Sequence, residues 1–445
     1  MNSLWLTENK NDSKFESLSK NINTDVCIIG AGIFGMTCGY YLSKAGLNVS
    51  IIEKNEIGHK TTGHTTAKIT YQHGLFYTYL VETYGEGFAK DYLSANQEAI
   101  ENIKNIIDDE KINCDFERQS NFVYTTNPNE VAQIKKEVDV LNALGFPANF
   151  VTKTGLPFDV AGAVQFKNQA QFNPIKYLNG LTKCISKNNG KIFTNTTVTD
   201  VKKIGDNFYI FTPNNVVTSK YVILASHYPF VNFPGIYFFK MYQASSYVIG
   251  VDVKKTINNG MYITASDPTF SFRTANYNGK KILLLGGCGH KTGTPAPYED
   301  TYGTLENYAK QLYPNCEILF RWDTRDCITL DKIPYIGRFS NVMDNIYVGT
   351  GFNKWGMTTS NVAANIVCDM ILGKENKYAY VFDSTRVHPI KNRIEVKNMI
   401  TESVNSLAIK KFKDSTVNFD KIPINSGGVI DVNNQKVGIY KDTSR

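Results

Sequence analysis

The sequence predicts an α/β protein that contains a Rossmann-like dinucleotide-binding domain. Residues 25–54 follow the order strand, glycine-rich turn, helix and second strand. A second glycine-rich turn, "VGTGFNKWGMTTS" at 348–360, again joins a strand to a helix. Between them, short apolar runs bounded by turn signals indicate additional strands. These three observations place the chain in the α/β class.

The size and composition are those of a globular protein with more than one domain. The chain has 445 residues, of which 42% are apolar and 20% charged, enough for two or three domains. No apolar run approaches the roughly 20 residues that a membrane helix needs. The first 20 residues are polar and lack the apolar segment of a secretory signal. We therefore expect a cytoplasmic protein without a membrane span.

Charge and cysteine content exclude several other classes. The eight cysteines are scattered and show no C-x-x-C spacing, which predicts reduced thiols and neither a disulfide framework nor a metal site. The net charge is +7, with much of the excess after Arg386. No nucleic-acid-binding motif accompanies it, so a solvated basic segment explains the charge and no nucleic-acid partner is expected.

The first glycine-rich turn has the spacing of a dinucleotide-binding fingerprint. Gly30 makes the tight turn, Gly32 lets the backbone approach a pyrophosphate, and Gly35 lets helix and strand pack closely. The helix N-terminus directs its partial positive charge at the phosphates. Glu53 ends the second strand, where its carboxylate can accept the ribose hydroxyls. The candidate cofactor-binding residues of this unit are Gly30, Gly32, Ile33, Phe34, Gly35, Glu53 and Lys54.

The acid at position 53 also restricts the choice of cofactor. A carboxylate near the ribose disfavours a 2′-phosphate, so the dinucleotide is FAD or NAD. The segment that follows is a long polar loop rich in Thr, Gly and His, which is unusual for an NAD domain. It looks like the segment that crosses beneath the isoalloxazine ring in FAD folds of the glutathione-reductase type, although a solvated loop is the alternative. Its candidate residues are Thr61, Thr62, Thr65, Thr66, Ala67 and Lys68.

A β-meander at 188–229 supplies the next candidates. Its strands are separated by the turn signals "IGDN" and "TPNN". Two-domain flavoproteins place a backbone contact to adenine near the first such strand, and Val198 is the candidate here. They end the last strand with a small-residue pair at the FAD, which here is Ala225 and Ser226.

The second glycine-rich turn cannot serve the same pyrophosphate. Its helix can instead direct a positive N-terminal dipole at the flavin pyrimidine, where negative charge develops on reduction. Lys354 adds a full positive charge, and Thr358 is the predicted N-cap. Trp355 either contacts the flavin or fills the core below the turn. The candidate residues are Gly351, Phe352, Lys354, Trp355, Gly356, Met357 and Thr358.

With these residues the chain resembles the D-amino-acid-oxidase-type (glycine/sarcosine oxidase-like) FAD-dependent oxidoreductases. The resemblance covers roughly residues 20–375 and rests on both glycine turns. The stretches "TTGHTTAKITYQHG", "GGCGHKTG", "TLDKIPYIGR" and "GFNKWGMT" are similar to a bacterial subgroup whose flavin domain precedes a C-terminal Rieske domain.

The resemblance implies two domains built from discontinuous segments. The FAD-binding domain would comprise 22–95, 165–230 and 321–375. A substrate domain with a mixed sheet would comprise 96–164 and 231–320, so that substrate lies between this sheet and the flavin.

The C-terminal region departs from the subgroup pattern. Residues 376–420 are expected to form a helical linker, and 421–445 resemble the opening hairpin of a Rieske domain. A Rieske cluster needs two Cys and two His ligands, yet no cysteine follows Cys368. This chain is therefore not expected to bind the cluster.

The resemblance also implies the chemistry. The chain is expected to oxidise a C–N bond of a small amine or amino acid by hydride transfer to FAD, with oxygen or a protein as electron acceptor. Asn353 and Lys354 occupy the last turn and no cysteine is near them in the sequence, so noncovalent FAD is expected. Arg273 is the candidate clamp for a substrate carboxylate. His290 is the candidate base or substrate ligand, and Lys354 the third catalytic candidate. The alternative is a flavin-binding electron-transfer or redox-gated partner protein without amine turnover.

Overall fold

The computed structural model describes residues 3–8, 15–254, 258–294, 296–386, 422, 426–432 and 435–441. The strands are β1 Ile22–Ile29, β2 Val49–Ile52, β3 Lys68–Ile69, β4 Glu117–Thr125, β5 Asn149–Val151, β6 Gly162–Gln171, β7 Lys191–Phe193, β8 Asp200–Ile204, β9 Asn207–Phe211, β10 Val216–Leu224, β11 Met241–Asp252, β12 Met261–Thr264, β13 Ser271–Tyr277, β14 Lys280–Lys291, β15 Glu317–Thr329, β16 Tyr335–Ser340, β17 Met343–Thr350, β18 Ser426–Val432 and β19 Gln435–Lys441. The α-helices are α1 Leu4–Glu8, α2 Ile33–Lys44, α3 Tyr77–Tyr84, α4 Glu86–Asp109, α5 Val131–Ala143, α6 Pro174–Lys187, α7 Thr301–Leu312, α8 Gly356–Ile371 and α9 Ala379–Phe382. Short 3-10 turns lie at Thr61–His64, Pro128–Glu130 and Tyr237–Phe239.

The first sheet has eight strands and a parallel centre. Its main path is β16-β17-β10-β1-β2-β7, with β8 and β9 extending from β10. Strand β1 runs parallel to β2 and β10, and β10 runs parallel to β17. The carboxyl ends of these strands therefore meet at one edge, where ligands bind in open α/β sheets. This confirms the predicted α/β, Rossmann-like class.

The sequence explains why this sheet is covered on both faces. The second half of β1, Val26 to Ile29, is buried throughout, as expected for a central parallel strand. Helix α2 packs against α8 and α6. Small residues allow the close approach of α2, because a Cβ on Gly39 would lie 2.7 Å from Cδ1 of Ile51 in β2.

The second sheet has nine strands and is mixed. Its path is β15-β11-β14-β13-β12-β4-β6-β3, with β5 beside β6, and β4 and β12 form its parallel pair. One face, which includes Val248, Leu284 and Trp322, shares a hydrophobic core with α2, α4 and α8. The opposite face, which includes Leu285, packs against Leu305 of α7. The mixed sheet predicted from the resemblance is therefore present, and its two faces have different neighbours.

The two sheets differ in how well their strands agree with the predicted domain segments. All strands of the first sheet lie within 22–95, 165–230 and 321–375. The second sheet also takes β3, most of β6 and the second half of β15 from those segments. The exact domain boundaries therefore stay a prediction.

The chain divides into two units, Met1–Val387 and His388–Arg445. Within the second unit, β18 and β19 pair antiparallel as a hairpin. Most of the expected linker at 376–420 lies outside the described residues. In the part of the chain that the structure describes, no helix combines the length and apolar character needed to cross a membrane. All eight cysteines are free thiols.

Candidate functional site

The turn between β1 and α2 is packed so closely that it requires glycine. Gly30 has φ +115°, and a Cβ there would lie 2.4 Å from the carbonyl oxygen of Ala225, at the end of β10. A Cβ on Gly35 would lie 2.0 Å from the carbonyl oxygen of Gly30. Gly30 therefore makes the tight turn and Gly35 the close packing that the sequence predicted. Ala225 lies beside the turn, and its contact with FAD stays a prediction.

The carboxylate of Glu53 lies beside this turn. Its Oε2 accepts a hydrogen bond from the backbone N–H of Ala31 at 2.9 Å, and its Oε1 accepts one from the N–H of Asn55 at 2.8 Å. These bonds fix the carboxylate at the carboxyl end of β2, while each oxygen keeps further acceptor capacity. The backbone of Glu53 is in turn held by Phe193 and Thr196.

Thr62 joins the polar loop to the start of α2. Its Oγ1 accepts a hydrogen bond from the N–H of Ile33 at 3.2 Å, and a Cβ on Gly32 would lie 3.2 Å from the same oxygen. Thr62 therefore occupies one of the N–H groups at the helix N-terminus. Thr61 contacts the second sheet instead, through a 3.4 Å hydrogen bond to the carbonyl of Arg325.

Arg273 holds the same loop from the second sheet. Its Nη1 donates to the carbonyls of Thr66 and Ala67, both at 2.8 Å, and Ala67 has the left-handed φ of +53°. The guanidinium is 5.3 Å from the ring of Trp5, and burial lowers its pKa to about 9. These contacts give Arg273 a loop-anchoring position, because Nη1 and Nε donate to backbone carbonyls, and the carboxylate clamp stays a prediction.

Lys68 is a half-buried cation next to Arg273. Its Nζ is 3.5 Å from Oγ1 of Thr66. Burial lowers the pKa of Lys68 to about 7, and the positive charge of Arg273 adds to this effect.

The loop around Lys68 is also held by its own hydrogen bonds. The hydroxyl of Thr65 accepts a hydrogen bond from the backbone N–H of Ala67 at 3.0 Å. The loop is therefore an ordered structure, not the solvated segment of the alternative interpretation.

His290 lies on the wrong face for the predicted catalytic role. Its ring stacks on Tyr247, with 5.8 Å between centroids, and Tyr247 packs against Tyr302 of α7. Gly289, the preceding residue, is on the opposite face, since a Cβ there would lie 3.1 Å from Nζ of Lys354. Strand alternation thus turns His290 away from both glycine turns. The structure corrects this prediction.

The two glycine turns touch each other through aromatic rings. A Cβ on Gly349 would lie 2.7 Å from the ring of Phe34, so β17 approaches α2 closely. Phe352 meets Phe34 edge-on, with 6.2 Å between centroids. Gly351 has φ +69°, and a Cβ there would lie 2.2 Å from the side chain of Thr329. The pairing brings the candidates Phe34, Gly351 and Phe352 into one place.

The start of α8 differs in detail from the prediction. The helix begins at Gly356 with Trp355 as its N-cap, so the predicted N-cap, Thr358, lies inside the first turn. The hydroxyl of Thr358 donates to the carbonyl of Thr70 at 3.0 Å and ties the helix to the polar loop. Trp355 stacks on the buried imidazole of His73.

Lys354 reaches from the turn to the second sheet. It has φ +72° and an exposed side chain whose Nζ lies over Gly289 of β14. Its charge acts on Asp326 of β15. Burial raises the pKa of the Asp326 carboxyl to about 6, and Lys354 partly opposes the effect. Lys354 therefore faces the space between the sheets.

Asp326 was not predicted from the sequence. Strand alternation puts it on the same face as Trp322, which donates Nε1–H to the carbonyl of His64 at 2.9 Å. That face meets the polar loop. A signal existed in the i, i+4 relation of Trp322 and Asp326, but nothing in the sequence showed which face of the strand Trp322 occupies.

The remaining predicted residues lie around the same edge. Ser226 follows Ala225 and donates to the carbonyl of Tyr228 at 3.1 Å. Val198 is half-buried and lies two residues after Thr196, whose N–H donates to the carbonyl of Glu53. Lys54 is exposed, while Met357 is buried at the start of α8. Their contacts with a cofactor stay predictions.

The residues of this edge fit FAD. The Gly30–Gly35 turn leaves no space for side chains, the helix N-terminus can face a pyrophosphate, and Glu53 is held where a ribose would lie. The second turn and the ordered loop at 61–68 add the extra walls that a flavin needs and an NAD domain does not.

Comparisons with known proteins agree with this arrangement. The model of the family DAO, FAD dependent oxidoreductase, matches residues 25–370. The chain is 36% identical over 429 residues to a Bacillus subtilis (strain 168) protein, YhfW, that bears the name of a Rieske 2Fe-2S iron-sulfur protein; the match covers 96% of this chain and 84% of that one. It is 22% identical over 382 residues to gamma-glutamylputrescine oxidoreductase of Escherichia coli (strain K12), and the match covers 82% of this chain and 87% of that protein. The fold is similar to that of glycine oxidase from Geobacillus kaustophilus, with a TM-score of 0.69 and 17% sequence identity. The match covers 82% of this chain and 100% of the glycine oxidase chain.

Proposed function

Because the chain belongs to the DAO family of FAD-dependent oxidoreductases, we propose that it oxidises a C–N bond of a small amine or amino acid. Its cofactor is FAD, which when bound supplies the two-electron acceptor. One observation carries the proposal. The two glycine turns meet at one sheet edge, and Lys354 of the second turn extends over the face of the second sheet that carries Asp326.

The residues of this chain would position the substrate and exclude water. An amine must be neutral to give up a hydride, so a pocket poor in water favours the reaction. Trp322 closes the second sheet against the loop through its bond to His64. The relatives support the class of substrate, since glycine oxidase and gamma-glutamylputrescine oxidoreductase are named for amine-bearing compounds.

The test is anaerobic reduction of the protein-bound flavin. A panel of small amines and amino acids is mixed with the yellow protein, and absorbance near 450 nm is followed. We expect at least one amine or amino acid to bleach the band. The proposal is wrong if the whole panel leaves the flavin oxidised while a reduced iron–sulfur protein or another electron carrier bleaches it.

That second outcome corresponds to the alternative function, electron exchange with a protein partner. Its support is the 36% identity to a protein that bears a Rieske name. Residues 369–445 contain no cysteine, so they do not supply the two Cys ligands that a Rieske cluster needs.

We also propose that FAD is bound without a covalent link. The second turn at 348–360 contains no cysteine, and its residues 353 and 354 are Asn and Lys. The carbonyl of Cys327 accepts the N–H of Asn353, but the thiol of Cys327 is buried and donates to the carbonyl of His227. Precipitation with acid should release all yellow colour into the supernatant. Colour that stays with the protein pellet would contradict this.

A further inference from the structure

Helix α1 lies upstream of the Rossmann-like unit and is buried, although it has only five residues. Ser3 and Leu4 are fully buried, and Trp5 keeps 1% of its surface exposed. A helix this short is not stable alone in water, because helices below about 12 residues gain too little from their own hydrogen bonds. Its position therefore depends on the elements that it packs against, which include α6 and the 3-10 turn Thr61–His64.

Five consecutive backbone carbonyls of the polar loop, from Gly63 to Ala67, each accept a hydrogen bond from a side chain outside the loop. In the order of the carbonyls, the donors are Ser3, Trp322, Trp5 and, for the last two, Arg273. Buried and partly buried carbonyls need such partners, so the positions of these side chains define the shape of the loop. Two of the five carbonyls depend on residues 3–8.

Trp5 contacts the loop both directly and through Arg273. Its Nε1–H donates to the carbonyl of Thr65 at 2.7 Å, and its ring lies 5.3 Å from the guanidinium of Arg273. An aromatic ring attracts a cation above its face, and more strongly where water is excluded. Trp5 therefore holds one carbonyl itself and supports the arginine that holds the next two.

Ser3 and Leu6 hold the 3-10 turn at the start of the loop. The hydroxyl of Ser3 donates to the carbonyl of Gly63, and a Cβ on Gly63 would lie 3.0 Å from Cδ2 of Leu6. Thr62, next to Gly63, accepts the N–H of Ile33 at the start of α2. These contacts therefore reach the loop close to the helix N-terminus that can face the pyrophosphate.

The adenosine end of the candidate FAD site is held by other residues. The backbone carbonyl of Glu53 accepts the N–H of Thr196, and Oγ1 of Thr196 accepts the N–H of Leu18. Neither bond involves residues 3–8. Loss of the contacts made by residues 3–8 should therefore affect the flavin half of the site and spare the adenosine half.

We propose that residues 3–8 form a strap that docks on the polar loop and sets the conformation in which the loop binds FAD, with Trp5 as the positioning residue. Equilibrium coupling is reciprocal, so bound FAD stabilises the docked strap by the same factor by which the docked strap tightens FAD binding. The inference concerns the cofactor and is independent of the substrate on which the protein acts.

The first experiment measures FAD binding to the full-chain apoprotein, purified from riboflavin-starved cells, through quenching of flavin fluorescence. Trp5→Ala should raise the Kd for FAD at least about tenfold, because the loop loses a hydrogen bond and the support of Arg273. Trp5→Phe keeps a ring beside Arg273 and loses only the N–H donor, so it should raise this Kd by a smaller factor. The Kd for ADP, which lacks the flavin, should stay unchanged in both variants.

Leu305→Ala is the matched control, because Leu305 is fully buried in α7 on the opposite face of the second sheet. It should lower the free energy of unfolding and leave the Kd for FAD unchanged. The inference is wrong if Trp5→Ala weakens FAD binding no more than Leu305→Ala does, or if it weakens ADP as much as FAD.

Ser3→Ala tests the strap in a protein that keeps every large buried side chain. It removes only the donor to the carbonyl of Gly63, so it remains informative if Trp5→Ala does not fold. We expect a raised Kd for FAD and an unchanged Kd for ADP. Unchanged FAD binding in both Ser3→Ala and Trp5→Phe would overturn the inference.

Hydrogen exchange of the backbone amides tests the reciprocal effect. The N–H of Leu6 donates to the hydroxyl of Ser3 at 3.3 Å, and the N–H of Thr7 donates to the carbonyl of Ser3 at 3.1 Å. Saturating FAD should slow the exchange of these two amides about tenfold and leave the amides of α7 unchanged. Equal exchange of residues 3–8 with and without FAD would contradict the coupling.

These measurements separate the strap from the proposed function, because none of them uses turnover. If no amine bleaches the flavin but FAD binding and exchange follow the expected pattern, the strap is supported and the amine-oxidation proposal fails. If amines are oxidised while Trp5→Ala binds FAD as tightly as the wild type, the strap fails and the proposed function stands.

Discussion

The indole ring of Trp355 lies nearly parallel to the imidazole ring of His73, with 5.0 Å between the centroids and 14° between the planes. His73 is buried, and its Nε2 donates to the carbonyl of Thr70 at 3.0 Å while its Nδ1 accepts from the hydroxyl of Tyr92 at 2.8 Å. Burial lowers the pKa of His73 to about 3. A neutral imidazole therefore supports the second glycine turn from the core.

This histidine should make the protein sensitive to acid. Its folded pKa of about 3 lies below the unfolded value of about 6.5, so the unfolded chain binds more protons between these pH values. Its contribution is complete above pH 6.5 and is lost as pH falls. From pH 7.5 to 5.0 the wild type should lose about 2 kcal/mol of unfolding free energy through His73 alone. Urea unfolding of wild type and His73→Gln at both pH values measures this; equal losses in the two proteins would contradict it.

Lys68 should act in the alkaline range. Burial lowers its folded pKa to about 7, below the unfolded value of about 10.4, so the unfolded chain again binds more protons in between. The free energy of unfolding should therefore rise from pH 7 towards pH 10, by less than about 1.4 kcal/mol per pH unit. Lys68→Met should remove this rise, and the exposed Lys60→Met should keep it. Chemical denaturation at pH 7 and 9 provides the comparison, and a rise retained in Lys68→Met would refute the assignment.

Arg273 should prove to be a stability residue. Arg273→Met leaves the carbonyls of Thr66 and Ala67 without their donor and should cost about 3 kcal/mol of unfolding free energy. The more exposed Arg118, which bonds Asn168 and Glu101, is the control, and Arg118→Met should cost less than about 1 kcal/mol.

The same variants distinguish the two roles of Arg273. Loop displacement should weaken FAD binding in Arg273→Met, seen as a lower ratio of absorbance at 450 nm to that at 280 nm. A carboxylate clamp would give another result: unchanged stability and FAD content, with a KM raised only for substrates that carry a carboxylate.

Gly30 should tolerate no side chain. Gly30→Ala adds a Cβ 2.4 Å from the carbonyl oxygen of Ala225, in addition to an unfavourable φ of +115°. Gly46, at the end of the same helix, has φ +88° with nothing near its Cβ position, so Gly46→Ala shows the cost of φ alone, about 1 kcal/mol. We expect Gly46→Ala to purify yellow and Gly30→Ala to purify colourless or not fold. A yellow, stable Gly30→Ala protein would contradict the packing argument.

Features encoded within a short stretch were predictable. The spacing of Gly30, Gly32 and Gly35 with Glu53 depends on one βαβ unit, and the structure places all four as expected. The fold class and a dinucleotide cofactor followed, because a packed turn and a nearby acid are local properties. The choice of FAD over NAD also needed the polar loop at 61–68 and the second glycine turn.

Features that depend on which face of a strand a residue occupies were not predictable. Cys288 has φ +53°, and the β11–β14 pairing shifts between Ser245 and Tyr247, so counting alternate residues along β14 fails before His290. Asp326 is exposed to the loop only because β15 pairs with β11 in one register.

The sequence by itself determined the α/β class, the glycine turns and the acid at the end of β2, since each follows from neighbours along the chain. The tertiary structure alone decided that Arg273 anchors the loop, that His290 faces α7, and that Lys354 and Asp326 share one space. The physical reason is that long-range strand pairing sets which side chains meet, and a shift of one residue moves a side chain to the other face.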